Sequence, residues 1–552
     1  MTRIAAALAA VGCVLALQVG PASAQTAEPP VFNGVEAVPV QDGGRVKPFD
    51  TYARETLRDI CGKDSWDGWS ATMVALSMAE DGDTWRAKPL IRVDHLELKD
   101  RFAMERGRKF YSFQELLGNQ DFLTYAEDLR QSGRDDFDDL EKAALETYTK
   151  MVTVDRATQK QTPHVVPGVR DEDAPWMSEA EMESMAGAPF VADMLDQWKA
   201  VRAAALQGND GALTSALAAW SASVAPQPGF ALAHDGRNEM EVTYNKIDPF
   251  RKAWMLYIVS FVIFLAGWIT GKRVLGFAAL FPLMIGFLFH SGGLLARQLI
   301  AGRPPISNLY ESLVFIVWGI VALAVIYEMV NRKRVFGTIA AVLGTIGLVL
   351  AETLPIEREL NPLVAVLRSY WMQYHVTTIL LSYSALTLAA GLAHFHLALR
   401  WFAPGKEKLA RKTAQLLYTM MKVGITTLAA GIILGAVWAS DSWGRYWGWD
   451  PKETWSLITL VGYLAIVHGR FAGWLTPYGV SVANVACWGL VLFTYYGVNF
   501  FLVGLHSYAG GAAAVKLPPL LIVYLIFELV VIGVGIWYSK SGRLSPGRTA
   551  SA

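Results

Sequence analysis

Residues 438–457 read WASDSWGRYWGWDPKETWSL, and five of the chain's nineteen tryptophans fall there: Trp438, Trp443, Trp447, Trp449 and Trp455. Long apolar runs flank this stretch on both sides, which places it at a membrane surface. An indole suits the headgroup region because its apolar body carries one polar N–H, so a belt of interfacial anchors is one reading. Density argues for another, since Trp443, Trp447 and Trp449 lie among Gly444, Gly448 and Pro451, with Arg445, Asp450, Lys452 and Glu453 interleaved. Glycine and proline permit a loop in which flat rings form a shelf. Such a shelf suits a large planar ligand with acidic edges, its faces against the indoles and its acids against Arg445 and Lys452. Chemistry alone leaves belt and shelf open.

Outward from this stretch, the chain from Trp254 on is a series of apolar runs. They fall at about 252–270, 274–295, 312–330, 335–352, 375–398, 416–438, 455–471, 478–503 and 519–538, each near the ~20 residues that cross ~30 Å of hydrocarbon. Basic residues gather on alternate loops, at Lys272-Arg273, Arg332 to Arg334, Arg400 to Lys412, Arg470 and Lys540 to Arg548. An outside start puts all of these groups in the cytoplasm. The beginning of the chain points the same way: Arg3, an apolar run from Ile4 to Val19 and Ala22-Ser23-Ala24 form a secretory signal over residues 1–24.

The expected fold is therefore mainly α. A polytopic helical membrane bundle of about nine spans occupies 249–540, after an extracytoplasmic soluble domain over 25–248 and before a cytoplasmic tail over 541–552. Periodicity predicts helix within Ser178 to Ala219. Composition agrees with one soluble part attached to a membrane protein, at 53% hydrophobic and 18% charged residues over 552 positions. Equal numbers of basic and acidic residues, 49 each, give no footprint for nucleic acid. Cys13, Cys61 and Cys487 are too few and too scattered for a disulfide framework or a CxxC redox site.

On this topology His375 opens the fifth span at the outer surface, His506 lies just past the outer end of the eighth, and the tryptophan loop shares their side. Two imidazoles, flat apolar walls and basic residues complete the needs of an iron porphyrin. Without a CxxCH sequence, any haem here is held by coordination and packing alone. His468 falls well inside the seventh span, where an ionisable side chain is a functional candidate. His290, in the second span, is read as a ligand, a hydrogen-bonding partner or part of an entry path. His394 and His396 are read as interfacial, His95, His164 and His234 as ordinary, and Glu528 as an intramembrane acid whose partner is not legible.

Residues 443–458, from Trp443-Gly444-Arg445 through Trp447-Gly448-Trp449-Asp450-Pro451-Lys452-Glu453-Thr454-Trp455 to Ile458, closely resemble the WWD signature of haem-handling proteins of cytochrome c maturation. The form WGWDPKETWSLI is most similar to the CcsA (ResC) branch, the membrane half of the system II cytochrome c synthase. Residues 38–51 resemble the periplasmic portion that precedes the CcsA half in fused CcsB–CcsA proteins. The resemblance implies a bacterial cytoplasmic (inner) membrane protein that binds haem b non-covalently and presents it at the outer face for attachment to the CxxCH motif of apocytochrome c.

It also implies axial ligands to an external haem at His375 and His506. Trp443, Trp447, Trp449, Trp455, Arg445 and Asp450 are implied around that haem, and His468 at a second haem within the membrane. The implied partners are a CcsB (ResB) type membrane protein, apocytochrome c and the thiol reductants of the apocytochrome. Two functions fit: a subunit of a holocytochrome c synthase (haem lyase) forming thioethers, or a haem exporter or carrier that hands haem to a separate lyase. No protein nucleophile is needed for the first, because the acceptor supplies its own thiols. A third reading is a non-catalytic scaffold whose tryptophans are anchors.

Overall fold

The computed structural model describes residues 34–134, 136–167, 175–227, 230, 236–331, 334–354, 356–363, 369–506 and 519–541. The signal segment, His234 and the C-terminal tail beyond Ser541 lie outside the described residues. The chain divides into two units, one reaching to Ile247 and including Glu359–Pro362, the other built from Asp248–Arg358 and from Leu363 onward.

In the N-terminal unit a four-stranded antiparallel sheet runs in the order β2-β1-β3-β4, with β1 Pro39–Asp42, β2 Arg45–Pro48, β3 His164–Val166 and β4 Met177–Ser178. Gly43 and Gly44 join β1 to β2 at φ 58° and 77°, the left-handed conformations that a two-residue hairpin turn needs. This sheet is absent from the sequence reading, because strands of two to four residues are too short to show an alternating pattern. Helix predominates around it. The predicted Ser178–Ala219 helix occurs as three pieces, Glu179–Ser184, Pro189–Leu206 and Asp210–Val224.

Aromatic rings build the centre of that unit: Phe49 packs on Trp198 and Trp198 on Trp220, each pair with centroids 6.0 Å apart. Arg202 is buried beside them and bonds Glu179 and Glu80, while Lys160 approaches Glu179 at 3.3 Å. A buried charge survives only when it is paired in this way. Of the ordinary histidines, His95 caps the helix Leu96–Arg101 through Nδ1, and His164 sits in β3.

Among the described residues the second unit holds nine long helices: α1 Pro249–Thr270, α2 Leu280–Ala301, α3 Leu309–Asn331, α4 Val335–Thr353, α5 Tyr370–Phe402, α6 Glu407–Trp443, α7 Pro451–Phe471, α8 Pro477–Leu492 and α9 Pro519–Lys540. All but α7 are long and apolar enough to cross a membrane. Helix α7 has the length, at 21 residues, but Lys452, Glu453, His468 and Arg470 make it less apolar. The protein is thus a mainly α, multi-pass membrane protein with some sheet in its N-terminal part. Helix α8 continues through one π-helical turn, Phe493–Gly497, into Val498–Phe501.

The bundle has two chemically distinct ends. At one, Arg334 donates to the Lys272 carbonyl, Lys406 lies over the Trp268 ring, Trp401 bonds the Tyr478 hydroxyl, and Tyr538 bonds the Arg400 carbonyl. The described residues of the basic loops gather here. At the other end, Arg297 and Arg303 bond the fully buried Glu311, Ser369 bonds Asp441, and Lys452 bonds Asn499.

Helices α5 and α6 run in close contact because glycines line the α6 face. A Cβ on Gly424 would lie 2.5 Å from Leu386 Cδ2, one on Gly431 2.6 Å from Ile379 Cδ1, and one on Gly435 2.6 Å from His375 Cε1. Without a hydrophobic drive between helices in lipid, small residues that let backbones touch supply the packing. Gly424→Leu is expected to lower the unfolding temperature in detergent, at a cost of about 1–3 kcal/mol for overpacking. Gly489→Ala, in α8 with nothing within 4 Å of its Cβ position, is expected to leave the unfolding temperature unchanged or higher; thermal melts of the two variants check both.

Candidate functional site

Trp438, in the last turns of α6, is where the site converges. His375, in the second turn of α5, stacks its ring on Trp438 with centroids 5.9 Å apart and planes at 16°. His506, beyond the end of α8, meets the same indole edge-on at 5.8 Å and 68°. Trp443 closes a third side at 5.8 Å and 69°. Two histidines 131 positions apart in sequence therefore meet on one ring.

Their tautomers follow from their partners. His375 Nδ1 lies 2.8 Å from the Gly431 carbonyl oxygen, which can only accept, so Nδ1 carries the proton. His506 Nδ1 lies 2.9 Å from Asp450 Oδ1. Burial alone raises the Asp450 carboxyl, but hydrogen bonds from His506 and from the Lys452 and Leu505 amides outweigh it and hold the group down at about 2. An ionised carboxylate also only accepts, so His506 too is protonated on Nδ1. In its neutral form each imidazole then has its lone pair on Nε2.

Asp450 starts α7. It is the N-cap, Pro451 follows at the first helical position, and Glu453 completes a reciprocal capping box. Glu453 also accepts from the Gly448 amide at 2.8 Å, which ties the tryptophan loop to the helix start. Within the loop Trp447 and Trp449 pack edge to face at 5.7 Å and 90°. Trp449 sits at φ 57°, a left-handed conformation that costs a bulky residue ~1–3 kcal/mol, and its ring is 71% exposed. The indole N–H groups of Trp438 and Trp447 are buried and have no acceptor among the described residues. A buried N–H without a partner is costly, and a ligand with an acceptor at its edge removes that cost.

The remaining predicted residues separate. Arg445 is exposed and lies over Gly448, where any side chain would collide with its guanidinium. Lys452 does not face the loop: its Nζ turns inward to Asn499 Oδ1 at 2.8 Å and the Tyr495 carbonyl at 3.4 Å, so the reading that offered it to a ligand's acids is corrected. That carbonyl lies in the π-helical turn and also accepts from Asn499 Nδ2 at 2.8 Å. Trp455 also points away from the loop and packs on Phe493 at 4.2 Å.

His468 is exposed on the outside of the unit near the end of α7. Its Nδ1 donates to the Leu464 carbonyl at 2.7 Å, leaving Nε2 directed outward. His290 is fully buried with both nitrogens used, Nε2 donating to the Val314 carbonyl at 3.1 Å and Nδ1 accepting from the Tyr257 hydroxyl at 3.2 Å. It is a structural hydrogen bonder. His394 and His396 both have partners within the bundle: His396 is buried against Ser481 at 2.7 Å, and His394 Nε2 reaches Glu528 at 3.1 Å, which names the missing partner of that acid. Tyr524 donates to the other Glu528 oxygen. Sequence reading missed the carbonyl of Gly431 and the gap at Gly435; the small-xxx-small spacing of these glycines was the available signal.

Fold and site together define a polytopic membrane protein that gathers imidazoles and indoles at one end of a helical bundle. The sequence profile of the family described as Cytochrome C assembly protein matches residues 306–506, which include the tryptophan loop and both histidines. CcsA of Synechococcus elongatus, a cytochrome c biogenesis protein, is 34% identical over 266 residues, covering 39% of this chain and 81% of that protein. CcsA of Guillardia theta is 35% identical over 240 residues, covering 38% and 79%. The similarity to protein NrfI of Wolinella succinogenes runs over 492 residues at 29% identity, covering 85% of this chain. The chain spans about half the length of that relative, 53%. The chain belongs to the CcsA-type family of cytochrome c biogenesis proteins.

The left-handed Trp449 generates a test. Trp449→Gly removes an exposed ring and the backbone penalty together, and it is expected to raise the unfolding temperature in detergent, by about 1 kcal/mol of stability. Calorimetry of the two proteins checks it, and an unchanged or lower temperature would count against the strain.

Proposed function

We propose that this chain binds haem b non-covalently at one membrane face and presents it for covalent attachment to the CxxCH motif of apocytochrome c. The observation that carries the reading is the meeting of His375 and His506 on Trp438, each with its Nε2 lone pair available. The buried N–H groups of Trp438 and Trp447 fit the acidic edge of such a ligand, and Arg445 supplies positive charge nearby. The basic loops at the opposite end of the bundle favour that end for the cytoplasm, which leaves the site on the outer face.

When bound, haem supplies two vinyl groups; the acceptor's two thiols add across them, forming two S–C bonds with the thiol hydrogens passing to carbon. This chain contributes position and orientation, which can be worth several kcal/mol of a barrier. A CcsB-type membrane protein is the proposed partner and thiol reductants of the apocytochrome the proposed auxiliaries. Outward-facing His468 favours a second haem-binding half-site that such a partner completes. In this reading the chain is a subunit of a haem lyase; the alternative is a carrier that passes haem to a separate enzyme.

Absorbance spectra of the purified protein test the haem reading. Wild type is expected to show a Soret band with two axial nitrogen ligands, His375→Ala and His506→Ala to lose or alter it, and His468→Ala to keep the outer-site signal. No Soret band in wild type, or spectra unchanged in the first two variants, would remove the outer site. Thioether formation on an apocytochrome in the presence of this chain and a CcsB-type protein separates lyase from carrier.

A further inference from the structure

We propose that Asp450 is a positioning residue: it fixes the His506 imidazole with Nε2 toward the site and makes it the more electron-rich of the two. The inference rests on the haem reading of that site and adds a division of labour between its two imidazoles. Asp450 is buried, and besides the capping box three hydrogen bonds converge on its carboxylate. One, from the Lys452 amide at 2.9 Å, is the ordinary duty of an N-cap. The other two come from a segment 55 and 56 residues away, the Leu505 amide at 2.7 Å and His506 Nδ1 at 2.9 Å. An N-cap needs neither of them.

The place where His506 sits explains why it needs a tether. Helical structure ends at Phe501, and His506 lies in no helix or strand. Its neighbour Gly504 is pressed against Asp450, so closely that a Cβ would fall 2.5 Å from Oδ2 and 2.8 Å from Pro451 Cδ. The backbone of residues 504–506 thus wraps the carboxylate. His375, by contrast, is built into α5, is seated in the gap that Gly435 leaves, and donates to a neutral carbonyl. A carboxylate on the far nitrogen fixes the ring and raises the basicity of the near one; a carbonyl does so less.

Asp450→Ser separates this role from capping, because serine caps a helix about as well as aspartate but is too short to hold residues 505 and 506. In the full chain, the expected results are an unfolding temperature close to wild type, haem affinity by Soret titration lowered about 10–100-fold, and a raised reduction potential. Added imidazole is expected to restore the wild-type spectrum. Asp450→Asn keeps the Oδ1 acceptor without the charge, so it is expected to bind more tightly than the serine variant and still show the raised potential.

Wild-type affinity and potential in Asp450→Ser, while His506→Ala loses haem, would overturn the positioning role and leave the site standing. Unchanged haem binding in both variants would overturn the site itself. Loss of haem that tracks loss of folding and resists imidazole would show a structural role only, and would also overturn the proposal.

Discussion

The site depends on how closely α5 and α6 approach. In hydrocarbon no water completes an unfilled polar group and no hydrophobic force pulls helices together, so contact comes from shape. Glycine at 424, 431 and 435 removes the side chains that would keep α6 away from Leu386, Ile379 and His375. The same absence lets His375 reach the Gly431 carbonyl, which fixes its tautomer, and lets its ring lie flat on Trp438. One stripe of small residues therefore sets backbone distance, ring orientation and protonation together.

What could be read beforehand was what local composition records. The tryptophan loop, the nine helical stretches and the candidacy of His375 and His506 all come from residues close in sequence or from counting spans. Directions of long side chains were not legible. Lys452 turned inward because a π-helical turn in α8 offered it a carbonyl and Asn499, a partner created by tertiary structure. Likewise His394 and His396 read as interfacial from position, whereas Glu528 on α9 and Ser481 on α8 draw them into the bundle. The place of His468 inside a span was legible, but not which way it faces, and α7 turns that face outward from the unit.

The loop between α6 and α7 is tied at one side and strained at the other. Glu453 accepts from the Gly448 and Asp450 amides and Asp450 caps the next helix, while Trp449 occupies a backbone region that favours glycine. A chain optimised only for folding would place glycine there. The large ring held outward at that cost is consistent with selection for a surface rather than for a core.

The distance along the chain between the two histidines also has a bearing on biosynthesis. Translation proceeds from the N-terminus, so Trp438 and His375 are both made well before residue 506. Until that last segment arrives and folds back on the start of α7, Trp438 has only one of its two imidazole neighbours. The meeting of the two rings therefore waits on nearly the whole unit, by the order of manufacture alone.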